Sequence, residues 1–265
     1  MTDFYRERQC AESVARRAGH HVVRERARHL DISLKAPHDV VTNVDRSTEE
    51  LIVEQISNAF PDDAISGEEY GEQERDSDES TDRRWVIDPI DGTLNFAHGV
   101  PLYCVSIGFE VAGKTEVGVI YDPNRDELFS AARGRGVHCN GEPLAVSTVD
   151  ALATSVLVTG FPLGDTQAFE WTMDQFDLLT RGTRGIRRLG SAALDCAYVA
   201  AGRLEAFWEY GLKPWDTAAG YLMVTEAGGE VTTIEGGPFS IEDYSIAATN
   251  GHIHGELLEV LQSVT

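Results

Sequence analysis

Hydrophobic positions change their period along this chain, and the changes divide it. Between Phe4 and His29, Val14, Ala15, Ala18 and Val22 recur at helical spacing among arginines and glutamates. This pattern predicts an amphipathic helix whose apolar stripe covers one face of a sheet. Ser47 with Glu50 three residues on reads as a capping box, and Leu51, Ile52, Ile56 and Phe60 carry a second helix that Pro61 closes. On that reading Asp45 stands just before a helix start. The stretch from Tyr70 to Arg84 is polar, acidic and aperiodic, as expected of a solvated surface loop.

Beyond it the period shortens to two. Val105–Val111, Glu116–Tyr121 and Glu127–Ala132 are short β-rich runs separated by Ala112-Gly113-Lys114 and Asp122-Pro123-Asn124, which predicts an antiparallel meander. Asn140-Gly141 signals a further tight turn. From about Leu144, a strand-like Ser155–Thr159 alternates with helical stretches at Asp165–Thr180, Ser191–Ala201 and after Trp215, as in an α/β unit. The expected class is α+β. An N-terminal α+β lobe over residues 1–145 is followed by a C-terminal α/β lobe over 146–265, joined in one compact unit without a free linker.

The chain has 265 residues, enough for one large domain or two fused lobes. With 42% hydrophobic and 25% charged residues, disorder, collagen and coiled coil are excluded. No apolar run approaches the roughly 20 residues a membrane span needs, and charged residues instead of an apolar signal follow Met1–Arg8. A cytoplasmic location without membrane contact is expected. Cys10, Cys104, Cys139 and Cys196 are scattered without a Cys-x-x-Cys pair, which fits isolated buried thiols in a reducing compartment.

Charge narrows the reading further. The formal net charge is −22, the wrong sign for a nucleic-acid footprint. Only Lys35, Lys114 and Lys213 are lysines; the other basic residues are arginines. A salt-adapted protein explains both features, because at about 1 M salt the screening length falls to about 3 Å and acidic self-repulsion is relieved. An acidic protein of ordinary salinity is the other reading.

Three acidic clusters stand apart from this general acidity because each sits in an apolar or Gly/Pro context: Gly67-Glu68-Glu69, Trp85 through Asp88-Pro89-Ile90-Asp91-Gly92-Thr93, and Lys213-Pro214-Trp215-Asp216. Burying several carboxylates together is costly unless cations neutralise them, and all-oxygen ligands favour a hard ion such as Mg²⁺ over zinc. Asp88 ends a strand, Pro89 turns the backbone, and Asp91 returns a second carboxylate to one cavity. Gly92-Thr93 then opens a helix whose unpaired N–H groups suit an anion. Taken alone, the hexapeptide also fits an Asx-type turn that caps a helix. With the other clusters it points to phosphoryl transfer at a metal site.

The ordered set of Val41-Thr42-Asn43-Val44-Asp45, Gly67-Glu68-Glu69, Asp88–Thr93, Asn95–Pro101, Ile186–Asp195 and Trp215–Gly220 closely resembles the inositol monophosphatase family. That family lies within the lithium-sensitive, Mg²⁺-dependent phosphatases that include fructose-1,6-bisphosphatases. The resemblance implies a layered αβαβα sandwich, a homodimer, and two or three Mg²⁺ ions. It places one ion on Glu68, Asp88 and the Ile90 carbonyl and a second on Asp88, Asp91 and Asp216, with a weaker third near Glu68. It makes Glu68 and Thr93 the pair that activates water, with Asp45 holding the Thr93 hydroxyl and Lys35 near the metals. Its substrate residues correspond to Asp91, Gly92, Thr93, Gly190, Ser191, Ala192, Glu209 and Asp216.

The implied reaction is hydrolysis of a small-molecule phosphate ester, inositol 1-phosphate first. Fructose 1,6-bisphosphate, other sugar phosphates and histidinol phosphate are alternatives within the same superfamily. Some members also act as protein partners of transcription complexes, a second class of function.

Overall fold

The structure is a computed structural model and describes residues 4–28, 30–36, 39–73 and 82–265. In chain order its first half runs α1 (Tyr5–Arg26), β1 (Ile32–Ala36), β2 (Asp39–Thr42), α2 (Asn43–Ala59), β3 (Ala64–Gly67), β4 (Gly71–Gln73), β5 (Arg83–Asp91), α3 (Thr93–His98), β6 (Cys104–Val111), β7 (Lys114–Asp122), β8 (Glu127–Ala132), β9 (Val137–Cys139) and β10 (Glu142–Pro143). The second half runs β11 (Val156–Thr159), α4 (Thr166–Gly182), β12 (Gly185–Arg187), α5 (Ala192–Ala200), β13 (Ala206–Tyr210), α6 (Pro214–Glu226), β14 (Glu230–Thr232), β15 (Ser245–Thr249) and α7 (His254–Gln262).

The predicted meander is present as β6, β7 and β8, and it continues into an eight-stranded sheet ordered β10-β9-β8-β7-β6-β5-β3-β4. Among the described residues, only the β3–β5 pair in that sheet is parallel. The second sheet, β12-β11-β13-β15-β14, mixes parallel pairs about β11 with antiparallel pairs about β15.

Helices fill three layers around these two sheets. The stripe Ala11, Val14, Ala15 and Ala18 of α1 packs with Ile52 and Ile56 of α2 on Trp85, Ile107 and Phe109 of the large sheet. Helices α5 and α6 lie between the sheets, sharing one core with Ile120, Phe129 and Phe207. On the outer face of the second sheet, Leu179 of α4 and Leu257 and Leu261 of α7 cover Trp208 and Tyr210. The order is helix, sheet, helix, sheet, helix, so the expected layered αβαβα sandwich is the fold observed.

Two local expectations are corrected. Helix α2 begins at Asn43, and its capping box is Thr42 with Asp45, not Ser47 with Glu50. Both pairs have the right spacing, but the Thr42 hydroxyl accepts from the Val44 and Asp45 amides while Asp45 Oδ2 accepts from Thr42 N at 2.8 Å. Asp45 is therefore inside the helix, in its first turn. The stretch from Tyr70 to Arg84 is strand at both flanks, in β4 and β5; residues 74–81, its middle, lie outside the described residues, as do 1–3, 29 and 37–38.

Candidate active site

The site begins with a bulge in β5. Along a regular strand, residues three apart face opposite sides. Here Asp88 pairs with Ser106 and Asp91 with Cys104, so three steps on β5 oppose two on β6. The extra residue turns the second carboxylate to the side of the first. Pro89, which cannot donate to a ladder, sits in the irregular segment. Asp88 Oδ1 accepts from Ile90 N at 2.9 Å, so the Asx-type turn read from the sequence is also present.

The third carboxylate arrives on α6. A pair of glycines that face each other across β6 and β7, Gly108 and Gly118, lets this helix lie directly on the sheet. A Cβ at Gly108 would meet Ala218 Cβ at 2.7 Å, and one at Gly118 would meet the Ala219 carbonyl at 2.7 Å. Pro214 starts the helix and Asp216 Oδ2 accepts from Lys213 N at 2.6 Å. Oxygen atoms of Asp88, Asp91 and Asp216 all lie within 4.8 Å of one another.

Such a triad repels itself. Burial, then the charges of Glu68, Asp91 and Asp216, hold Asp88 well above the usual carboxylate range. Burial and the Asp91 charge do the same to Asp216. Asp91 is also raised by burial, although its Oδ2 accepts from Ser191 Oγ at 2.6 Å and Ala193 N at 2.7 Å, with Cys104 Sγ at 3.7 Å. These oxygen donors suit a hard divalent cation, which would remove the repulsion.

Glu68 is brought up beside the triad but is not in its tight cluster. It follows β3, and burial pushes it up to about 7 against the opposing charge of Lys35. Lys35 Nζ, on β1, donates to Glu68 Oε1 at 3.0 Å and to Glu69 Oε1 at 2.5 Å. On the near side, Thr93 Oγ1 lies 2.9 Å from both Asp45 Oδ1 and the Ile90 carbonyl. Asp45 is fully buried, and burial outweighs its hydrogen bonds from Thr42 and Thr93 to raise it.

A cleft of about 880 Å³ opens beside these groups, lined by Gly92, Thr93, Gly190 and Glu209 on its polar side and by Phe161, Pro162, Tyr210 and Leu212 on its apolar side. Gly92 and Gly190 both have positive φ, and a Cβ on Gly92 would stand 3.1 Å from the Gly190 carbonyl. Side chains at that crossing would force the two loops apart. Ala192 starts α5 behind this loop. Ser191 occupies the N-cap position, yet its hydroxyl donates to Asp91 and does not cap the helix. Glu209 is half-buried; burial pushes it up to about 8, opposed by Arg188 and reinforced by Asp91.

Two contributors were not singled out from the sequence. Glu49, buried in α2, accepts from the Glu69 and Tyr70 amides at 2.9 and 3.0 Å, fixing the backbone that presents Glu68. Asn95 Nδ2 donates to the Leu102 and Leu189 carbonyls, each at 2.7 Å, tying the loop before α5 to the loop before β6. The i, i+4 position of Glu49 toward Asp45 is visible in the sequence, but its partners are reached only through the fold.

Comparison with known proteins agrees with this geometry. The model of the inositol monophosphatase family matches residues 6–265. The chain is 44% identical to a Nus factor SuhB of Pasteurella multocida, over 94% of this chain and 92% of that one. It is 45% identical to an inositol-1-monophosphatase of a Synechocystis species, over 84% and 77% of the two chains. The crystal structure of the extragenic suppressor protein suhB from Bartonella henselae superposes with a TM-score of 0.91 at 40% identity, covering 97% of this chain and 98% of that one. The chain belongs to the inositol monophosphatase family, a family of metal-dependent phosphatases, and has that family's fold.

Proposed function

We propose that this phosphatase hydrolyses inositol 1-phosphate, or a closely similar cyclic polyol monophosphate, to the free polyol and phosphate. The observation that carries the reading is the Asp88–Asp91–Asp216 triad, whose Asp91 is followed directly in the chain by Gly92 and Thr93, two residues that line the same cleft as Glu209. Support also comes from the name of the Synechocystis relative.

In this reading Glu68, Asp88, Asp91, Asp216 and the Ile90 carbonyl hold magnesium, in two or three ions. Bound magnesium supplies charge neutralisation at the phosphate and a lowered pKa for water. Thr93, held by Asp45, orients the attacking water, and the Glu68 carboxylate accepts its proton. The amides of Gly92 and Thr93 meet phosphate oxygens. The Gly190-Ser191-Ala192 loop walls the substrate side, and Glu209 accepts hydrogen bonds from ring hydroxyls. Lys35 counters the charge on Glu68 and Glu69 when cations are scarce.

The wider reading has residues 1–145 and 146–265 as two lobes of one unit, a homodimer in the cytoplasm, lithium sensitivity, and adaptation to salt, the last supported by the net charge of −22. Among the described residues, no helix is long and apolar enough to cross a membrane. A second reading follows from Arg188 on the cleft wall, which favours a substrate with another anionic group such as fructose 1,6-bisphosphate. The name Nus factor SuhB of the Pasteurella relative supports a further role as a Nus factor.

A phosphate-release panel with magnesium separates the readings: inositol 1-phosphate, fructose 1,6-bisphosphate, histidinol phosphate and glycerol 2-phosphate. The highest kcat/KM on inositol 1-phosphate is expected. A higher value on the bisphosphate replaces the first reading with the second.

A further inference from the structure

Glu209 lies on β13 at the edge of the cleft, and the neighbouring strand β11 runs parallel to it, with Thr159 opposite Trp208. Side chains alternate along β13. Trp208 and Tyr210 enter the outer core beneath α4 and α7, so Phe207 and Glu209 share the face toward α5. The residue that follows β11 on this side is Gly160, which is buried. A Cβ built on Gly160 would fall well inside contact distance of Glu209 Cδ and both carboxylate oxygens, and these three are its nearest atoms.

Backbone geometry does not demand a glycine there. Positive φ is found at Gly92, Gly190 and Gly211 around the same cleft but not at Gly160, so its backbone accepts an L side chain without strain. The three atoms nearest to that Cβ all belong to the Glu209 carboxylate group. The space that a side chain would take is the space the carboxylate occupies. The same device recurs at Gly67, where a Cβ would meet the carboxylate of Glu49, the side chain that fixes the Glu68 backbone.

We propose that Gly160 is a specificity-determining position: its bare Cα is the seat of the Glu209 carboxylate and fixes where that group meets substrate hydroxyls. This rests on the role given to Glu209 above. Gly160 acts through Glu209 and is a positioning residue. The Thr159 hydroxyl donates to the Trp208 carbonyl at 2.7 Å, locking the two strands in register at the level where glycine and glutamate meet. A methyl at residue 160 would therefore displace the carboxylate and leave the strands in place. The acidic triad, on β5 and α6, is built from other elements.

The test is a set of three variants, G160A, E209D and G160A/E209D, assayed on inositol 1-phosphate and glycerol 2-phosphate, with a crystal structure of G160A. For G160A, kcat/KM on inositol 1-phosphate should fall on the order of 10- to 100-fold, chiefly through KM, as expected for loss of a charge-assisted hydrogen bond. Turnover of glycerol 2-phosphate should fall by no more than about threefold. Shortening the acid by one methylene, about 1.5 Å, makes room for the methyl. In the E209D background, adding G160A should therefore cost less than about twofold, even where G160A alone folds poorly. A cost of tens of fold in that background, equal losses on both substrates, or an unmoved Glu209 carboxylate in the G160A crystal overturns the proposal. If the wild type fails to favour the polyol while Glu209 moves as expected in the crystal, the seat stands and the polyol reading fails.

Discussion

The Ser191 hydroxyl donates to Oδ2 of Asp91 at 2.6 Å across one hundred residues of sequence. The bond joins the loop before α5 to the bulged end of β5. With Ala193 N it holds Oδ2 of Asp91, a carboxylate of the cluster with Asp88 and Asp216. Ser191, expected from the resemblance to touch substrate, is bonded in this structure to that carboxylate.

Replacing it should consequently change metal dependence more than substrate affinity. A hydrogen bond to a charged group contributes about 1.5–3 kcal/mol. S191A should raise the magnesium concentration at half-maximal activity by roughly 10-fold or more, with KM for substrate within about twofold. Activity titrations against magnesium check this, and an unchanged midpoint with a raised KM would return Ser191 to direct substrate contact.

Neutralising the triad should have opposite effects on activity and on metal-free stability. D88N or D91N should remove most turnover, because Asp88 and Asp91 are two of the three carboxylates meeting at the centre. In chelator the same variants should melt higher than wild type, since each removes one buried charge from a repelling set. Thermal melts in chelator decide the point; lower midpoints for both variants would mean that the carboxylates stabilise the fold without a cation.

The pH dependence of that stability has a definite sign. Burial raises Glu68 from its usual 4.5 to about 7, so between those values the unfolded chain has lost a proton that the folded chain keeps. Stability in chelator is full below about pH 4.5 and falls as pH rises through about 7. E68Q should flatten the slope, and saturating magnesium should reverse the loss. Melting midpoints at several pH values in chelator and in magnesium test this; a chelated wild type that gains stability over that window contradicts it.

Salt should stabilise the protein generally. A formal charge of −22 repels itself in dilute buffer, and about 1 M KCl shortens the screening length to about 3 Å. The melting midpoint should rise from dilute buffer to that concentration. A flat or falling midpoint would remove the case for salt adaptation.

What could be read in the sequence was whatever depends on local pattern. The apolar run Trp85-Val86-Ile87 ending in two carboxylates around Pro89 already signals a strand that delivers charge to a cavity, and the structure adds the bulge that makes a three-residue spacing work. Thr42 with Asp45 and Ser47 with Glu50 are both plausible caps by spacing, and only the position of β2 before Asn43 selects the first. The β-rich flanks of the acidic stretch were hidden because Arg83 and Arg84 find acidic partners in space, Asp63 and Glu110, that no local window contains. Glu49 and Gly160 carry no local signal for the same reason, and Asn95 enters only as part of the Asn95–Pro101 motif, without a role. Each matters through a contact made across elements, such as the Asn95 bond to the Leu189 carbonyl, and none belongs to a local motif of charge.

The proposed divalent-cation centre at which phosphate esters are cleaved is formed by Asp88, Asp91 and Asp216. Anomalous diffraction from crystals grown with manganese would locate the ion. A strong anomalous peak bounded by oxygens of these three residues is the result expected. No peak there, from crystals of protein whose phosphate release persists undiminished in chelator, would contradict it.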